Sequence, residues 1–140
     1  MILVDSGPLV ALVDADEQYH LECNAAWRTL PPQRMATVWP VLTEVMHFLV
    51  DLPKAQDAVW NMLVRGAVQL LPLGPEDVPR IRELMRQYSD RPMDLADAAL
   101  IRVAEREGIR QFFTVDREDF TVYRLHGKIR PEIIPHARTR

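Results

Sequence analysis

The sequence has 140 residues, of which 48% are hydrophobic and 26% are charged, and its net charge is −3. These values are typical of one globular domain with a substantial core, spanning residues 1–140. No apolar run approaches the roughly 20 residues of a membrane helix, and no basic segment precedes an apolar one at the N-terminus. We therefore expect neither a membrane span nor a secretion signal. The single cysteine, Cys23, excludes an internal disulfide and fits a cytoplasmic location.

The N-terminal half of the chain predicts strands alternating with helices. Residues 2–4 form an uninterrupted apolar run, which is typical of a strand covered on both faces. The other elements predicted in this half are helices over residues 9–13, 19–30 and 40–50 and a strand over residues 35–38.

The C-terminal half continues the same alternation. Asp94 can cap a helix that Gly108 ends, and a strand over residues 111–115 follows it. The remaining predicted elements are helices over 55–65 and 75–88 and strands over 68–73 and 132–135. Strands that alternate with helices predict a three-layer α/β/α fold with a mainly parallel central sheet.

Four acidic side chains occupy related positions. Asp5 and Asp116 each follow a predicted strand, so a parallel sheet brings both to one edge. Glu44 lies at the border of an apolar helix face, and Asp97 lies in the first turn of a helix. Clustered carboxylates stay ionised together only beside a cation, and oxygen ligands favour Mg²⁺ or Mn²⁺ over Zn²⁺. The pattern predicts a divalent-metal site suited to phosphodiester hydrolysis.

Each acid also has a purely structural interpretation. Asp5 can cap the following helix, and Asp94 and Asp97 can stabilise a helix N-terminus. The structural alternatives for the others are a turn at Asp116 and a surface pair between Glu44 and His47.

Four short motifs surround these acids. They are residues 4–12 (VDSGPLVAL), 43–44 (TE), 93–100 (MDLADAAL) and 114–120 (TVDREDF). In this order and spacing the chain resembles the PIN-domain ribonucleases, and among them the VapC toxins of toxin–antitoxin pairs. The resemblance implies a PIN fold and Mg²⁺- or Mn²⁺-dependent endonucleolytic cleavage of structured RNA. It also implies a homodimer and a small antitoxin protein as partner.

The resemblance assigns roles to individual residues. It makes Asp5, Glu44, Asp97 and Asp116 the catalytic quartet, with Asp5 and Asp97 as the most direct metal ligands. The supporting roles that it implies are a helix cap for Asp94 and hydrogen bonds from Ser6 and Thr114 to the carboxylates. Glu118 stands where similar toxins often carry a basic residue.

The C-terminal segment supplies candidate contacts to the RNA backbone. The last 24 residues carry six basic and three acidic side chains, whereas the preceding 116 carry 11 and 17. An ordinary solvated surface that binds no partner would explain the same distribution of basic and acidic side chains. The candidate contacts are Arg117, Arg124, Lys128, Arg130, Arg138 and Arg140. The tryptophans Trp27, Trp39 and Trp60 can stack on bases. Tryptophans on apolar helices more commonly lie in the core or in an interface between proteins.

Two other function classes compete with a nuclease. A phosphoacceptor signalling domain is also a small α/β domain with acids at strand ends, but it needs a lysine after a late strand. Neither Lys54 nor Lys128 is placed that way. The second alternative is a catalytically idle PIN scaffold that binds RNA or a partner protein.

Overall fold

The computed structural model describes residues 1–31 and 34–135. Its strands are β1 (Ile2–Val4), β2 (Met35–Thr37), β3 (Gln69–Leu70), β4 (Gln111–Phe113) and β5 (Glu132–Ile134). Its helices are α1 (Ser6–Val13), α2 (His20–Thr29), α3 (Trp39–Phe48), α4 (Pro53–Val64), α5 (Val78–Gln87), α6 (Leu95–Glu107) and α7 (Arg117–Val122), and a 3₁₀ turn (Pro75–Asp77) precedes α5. Among the described helices, none combines the length and apolar character that crossing a membrane requires.

The five strands form one parallel sheet in the order β3-β2-β1-β4-β5. Helices cover this sheet in a three-layer α/β/α arrangement, which confirms the predicted fold class. The central strand β1 is wholly buried, as its continuous apolar run predicts. Because β1 and β4 are adjacent and parallel, with Val4 paired to Phe113, the segments that follow them leave the sheet side by side.

Several boundaries differ from the predicted ones for local reasons. Helix α1 begins three residues earlier, because the Asp5 carboxylate accepts a hydrogen bond from the Ser6 N–H group at 2.8 Å and caps it. The strand predicted over 68–73 shortens to Gln69–Leu70, and Pro72, which lacks a donor, follows it. No helix is predicted after Asp116, yet α7 forms there because Asp116 accepts a hydrogen bond from the Asp119 N–H group at 3.2 Å.

Gly7 allows α1 to approach the segment that follows β4. A Cβ atom at this position would lie 2.5 Å from the Cγ2 atom of Val115. A side chain would therefore push α1 away from the loop that joins β4 to α7. The glycine of the 4–12 motif thus keeps the two segments that carry Asp5 and Asp116 close together.

Candidate active site

The carboxyl edge of the central strands holds Asp5 in a fixed orientation. Asp5 follows β1 and is 6% exposed. Its second oxygen accepts a hydrogen bond from the Thr114 hydroxyl at 2.9 Å, and the same Thr114 oxygen accepts one from the Asp116 N–H group at 3.0 Å. Thr114 therefore links the ends of β1 and β4, which agrees with the carboxylate-supporting role that the sequence predicts for it.

The first turn of α6 carries the second buried acid, Asp97. The Asp94 carboxylate caps this helix by accepting a hydrogen bond from the Asp97 N–H group at 2.8 Å, as predicted. The Asp97 side chain accepts a hydrogen bond from the Tyr123 hydroxyl at 2.8 Å. Asp97 is 7% exposed, so most of the residue is shielded from bulk water. The helix cap and the tyrosine hold Asp97 at the start of α6.

The structure groups three carboxylates tightly. Asp97, Asp116 and Asp119 each offer an oxygen, and these oxygens lie within 4.8 Å of one another; we call these residues the carboxylate triad. Within residues 1–31 and 34–135, no other set of histidine, cysteine and acidic side chains meets this criterion. Asp119 is absent from the predicted quartet. Its position three residues after Asp116, in a segment that begins a helix, is the signal that could have indicated it.

Burial and mutual repulsion raise the pKa values of the acids at this edge. The pKa of Asp97 rises to about 8, mainly because the side chain is buried. Repulsion from the charges of Asp5, Asp94 and Asp116 raises this pKa further, whereas the hydrogen bond from Tyr123 lowers it. Burial likewise raises the pKa of Asp5 to about 6, opposed by its hydrogen bonds and reinforced by repulsion from Asp94 and Asp116. Acids that repel one another this strongly suit a shared cation.

The pKa values of Glu44 and Asp116 are also raised by burial beside other acids. Burial raises the pKa of Glu44 to about 7, and repulsion from Asp94 and Asp5 adds to it. Burial also raises the pKa of Asp116, although the Asp119 N–H group opposes this. All four acids of the predicted quartet therefore lie at one edge of the sheet, but Asp5 and Glu44 are not members of the carboxylate triad. The surface pair between Glu44 and His47 is not found in the described part of the chain.

A surface cavity of about 400 Å³ opens beside these acids. Glu44 and Asp94 line it together with the apolar side chains of Trp39 and Leu95. Trp39 is 53% exposed and packs against Trp60 with a distance of 6.3 Å between ring centroids. The third tryptophan, Trp27, packs against Phe113 at the same centroid distance. Glu44 and Asp94 thus face a solvent-open cavity that is bordered by an exposed aromatic side chain.

The basic side chains predicted to contact RNA differ in their exposure and in the hydrogen bonds that they already make. Lys128 and Arg130 are exposed. The Arg124 guanidinium donates hydrogen bonds to the carbonyl oxygens of Thr121 and Tyr123, so it is partly committed to its own backbone. One terminal nitrogen of Arg117 is buried without a hydrogen-bond partner in the described part of the chain. Arg138 and Arg140 lie outside the described residues.

The donor set of this site fits a hard divalent cation. It consists of oxygen atoms only, and the carboxylates are crowded enough to favour protonation when no cation balances them. The residues that would hold a divalent cation here are Asp5, Asp97, Asp116 and Asp119: the last three converge within 4.8 Å, and Thr114 connects Asp5 to Asp116. The arrangement therefore meets the requirements of metal-assisted hydrolysis.

Metal binding to this site should release protons at neutral pH. Because the pKa of Asp97 is about 8 and that of Asp5 is about 6 without a cation, protons compete with the ion for these oxygens. The affinity for Mg²⁺ should rise as the pH increases from 6 to 8.5. Calorimetric titrations in buffers of different ionisation enthalpy measure the protons released. An affinity that stays constant over this range would contradict the predicted competition.

Comparisons with known proteins agree with the geometry. The family model described as PIN domain matches residues 2–124. Ribonuclease VapC26 of Mycobacterium tuberculosis is 26% identical over 137 residues, covering 96% of this chain and all of the relative. The crystal structure of M. tuberculosis VapC20, described as a sarcin-ricin loop cleaving toxin, aligns with a TM-score of 0.76 at 21% identity, covering 84% of this chain and 92% of that one. A toxin–antitoxin complex from Klebsiella pneumoniae aligns with a TM-score of 0.67 at 20% identity, covering 96% and 100%.

Proposed function

The chain belongs to the PIN-domain family, as its motifs predict, and from this membership we propose that it is a metal-dependent endoribonuclease and the toxin of a toxin–antitoxin pair. The observation that carries the proposal is the group of mutually repelling carboxylates, of which Asp5 and Asp97 are buried, where the ends of β1 and β4 meet the start of α6. Ribonuclease VapC26, which this chain covers over its whole length, is named a ribonuclease, and this supports RNA as the substrate.

The chain's own residues have distinct tasks in this proposal. Asp5 and Asp97 are the proposed direct metal ligands, and Asp116 and Asp119 complete the ion shell from the start of α7. When bound by these residues, Mg²⁺ or Mn²⁺ would supply Lewis-acid chemistry, namely polarisation of the phosphoryl oxygen and activation of water. Glu44, whose pKa is raised to about 7, is the proposed acceptor of a proton from the attacking water at neutral pH. No covalent nucleophile is required.

The test is cleavage of a structured RNA by the purified chain. With Mg²⁺ or Mn²⁺ we expect a limited set of internal cuts, which EDTA stops and an excess of the same metal restores. A chain that binds the RNA without cutting it under any divalent metal would instead indicate the idle scaffold. Cutting that continues in EDTA would contradict a metal-dependent mechanism.

We also infer the partners and location that the resemblance implies. The alignment with a toxin–antitoxin complex supports a small antitoxin protein as partner, and the free thiol of Cys23 suits a cytoplasmic location. A homodimer is supported by an apolar groove lined by Val78, Ile81, Met85 and Leu95, of which Val78 is 58% exposed. Light scattering on the purified chain measures its mass, and a monomer at micromolar concentration would contradict the dimer.

A further inference from the structure

Tyr123 occupies an unusual position relative to the acids. It directly follows α7, the helix that Asp116 caps and that carries Asp119. Its side chain is fully buried, and its backbone N–H group donates a hydrogen bond to the Asp119 carbonyl at 3.1 Å. From the other end of α7 its hydroxyl reaches the Asp97 carboxylate on α6 at 2.8 Å. One residue therefore touches both segments of the carboxylate triad.

The aromatic ring of Tyr123 has packing partners that need no hydroxyl. It meets Tyr88 edge-on at a centroid distance of 5.1 Å and Phe120 edge-on at 5.2 Å. A phenylalanine would fill the same space. A buried hydroxyl is unfavourable unless it is hydrogen-bonded, and the partner of this one is an acid of the proposed metal site. The hydroxyl therefore contributes more to Asp97 than to the aromatic cluster.

We propose that Tyr123 is a positioning residue that orients the Asp97 carboxylate and fixes α7 against α6, and that it thereby sets the spacing of the carboxylate triad. The inference deepens the proposed function and depends on it. The Tyr123 hydroxyl occupies one oxygen of Asp97, so the carboxylate cannot rotate without breaking a buried hydrogen bond. Within the described part of the chain, this is the one hydrogen bond that joins the Asp97 side chain to α7 or the residues after it.

The spacing of the triad depends on this bond because α7 is short. A helix of six residues that begins at a loop has little intrinsic rigidity. Phe120 packs α7 against Phe112, and a further polar attachment is the ion pair between Arg91 and Asp119 at 3.1 Å, whose side chains are 30% and 29% exposed. Such a half-exposed pair is weaker than a buried hydrogen bond to a carboxylate. Loss of the Tyr123 hydroxyl should therefore loosen the Asp97 carboxylate and also the carboxylates of Asp116 and Asp119 at the start of α7.

The test compares Tyr123→Phe with Tyr88→Phe. Both variants remove one hydroxyl from the same buried aromatic cluster, but the Tyr88 hydroxyl accepts a hydrogen bond from the Arg124 N–H group and touches no acid of the site. Groups that support a metal ligand typically change metal affinity by about 10- to 100-fold when removed. We expect Tyr123→Phe to weaken Mn²⁺ binding by about 10-fold or more, measured by calorimetry and electron paramagnetic resonance. Tyr88→Phe should stay within about twofold of wild type.

The outcomes separate this inference from the proposed function. If the Tyr123→Phe variant binds Mn²⁺ as tightly as the wild-type protein, or more tightly, the positioning role is overturned. An equal loss in both variants would assign the effect to the aromatic cluster and overturn it as well. A wild-type chain that binds Mn²⁺ but cuts no RNA would overturn the nuclease proposal alone, and one that binds no Mn²⁺ would overturn both.

Discussion

Asp97→Asn should reduce RNA cleavage by more than about 100-fold and should also make the metal-free protein more stable. The loss of activity follows because Asp97 is a proposed direct ligand at the centre of the acidic edge, and losing even a group that only supports a ligand costs about 10- to 100-fold. The asparagine keeps the volume of the side chain and an oxygen that can accept the hydrogen bond from Tyr123. The fold should therefore remain intact.

The gain in stability follows from the raised pKa of the same residue. The pKa of Asp97 is about 8 in the folded chain and near 4 in an unfolded one, so the folded state binds the extra proton. The stability associated with that proton is present at low pH and is lost as the pH rises through 8. At pH 8 the neutral asparagine avoids this loss, and we expect an increase of roughly 2 to 5 kcal/mol in the free energy of unfolding, because each unit of pKa difference corresponds to about 1.4 kcal/mol.

Asp94→Asn is the matched control for this experiment. It removes the same charge from the same end of α6, and asparagine caps a helix as well as aspartate does. Cleavage should fall by less than about 10-fold in this variant, because Asp94 is not a proposed ligand. Urea unfolding at pH 5 and pH 8, together with single-turnover cleavage, measures both effects. An Asp97→Asn variant that cuts RNA like wild type under matched metal would refute the assignment of the site.

Asp77→Ala should lower the free energy of unfolding by about 3 kcal/mol without changing the chemistry of the site. Asp77 is fully buried in the turn before α5. It accepts hydrogen bonds from the Arg102 guanidinium at 2.8 Å, and from the Arg106 guanidinium and the Gly74 N–H group at 2.9 Å each. Breaking one member of such a buried ionic group leaves uncompensated charge and typically costs 3–5 kcal/mol. We expect the lower end, because the two arginines remain about one-fifth exposed.

The effect of Asp77 should depend on pH in a defined direction. Burial alone would raise the pKa of Asp77, but the Gly74 N–H group and the two arginines hold it below 3.8. Its stabilising effect is therefore present above about pH 4 and is lost as the pH falls through the folded-state pKa. The difference in unfolding free energy between wild type and Asp77→Ala should shrink below that pH.

Glu83→Ala provides the comparison for a surface ion pair. Glu83 is 69% exposed and pairs with Arg80 three residues before it. Its removal should change stability by less than about 1 kcal/mol. Thermal and urea unfolding of the three proteins measure the differences. Equal destabilisation by the two alanine variants would show that the buried ionic group has no special role.

Local sequence signals predicted most of the framework. The uninterrupted apolar run of residues 2–4 indicated a strand covered on both faces, and Asp94 and Gly108 marked the two ends of α6. These predictions succeed because burial pattern, caps and glycine conformations are set within a few residues of chain. Asp5 and Asp116 could be placed at one sheet edge for the same reason, since a strand delivers the residue that follows it to its carboxyl end.

The partners of the buried polar groups needed the folded chain. Asp97 and Tyr123 are 26 positions apart in the sequence, and Asp5 and Thr114 are 109 positions apart. The strand order, the membership of Asp119 in the carboxylate triad and the ionic group around Asp77 are equally nonlocal. The sequence by itself determined the helices and strands other than α7, and the positions of Asp5, Glu44 and Asp97 on them. Only the tertiary structure decided which oxygens meet and what holds them, because hydrogen bonds and charge repulsion depend on distances in space that spacing along the chain does not specify.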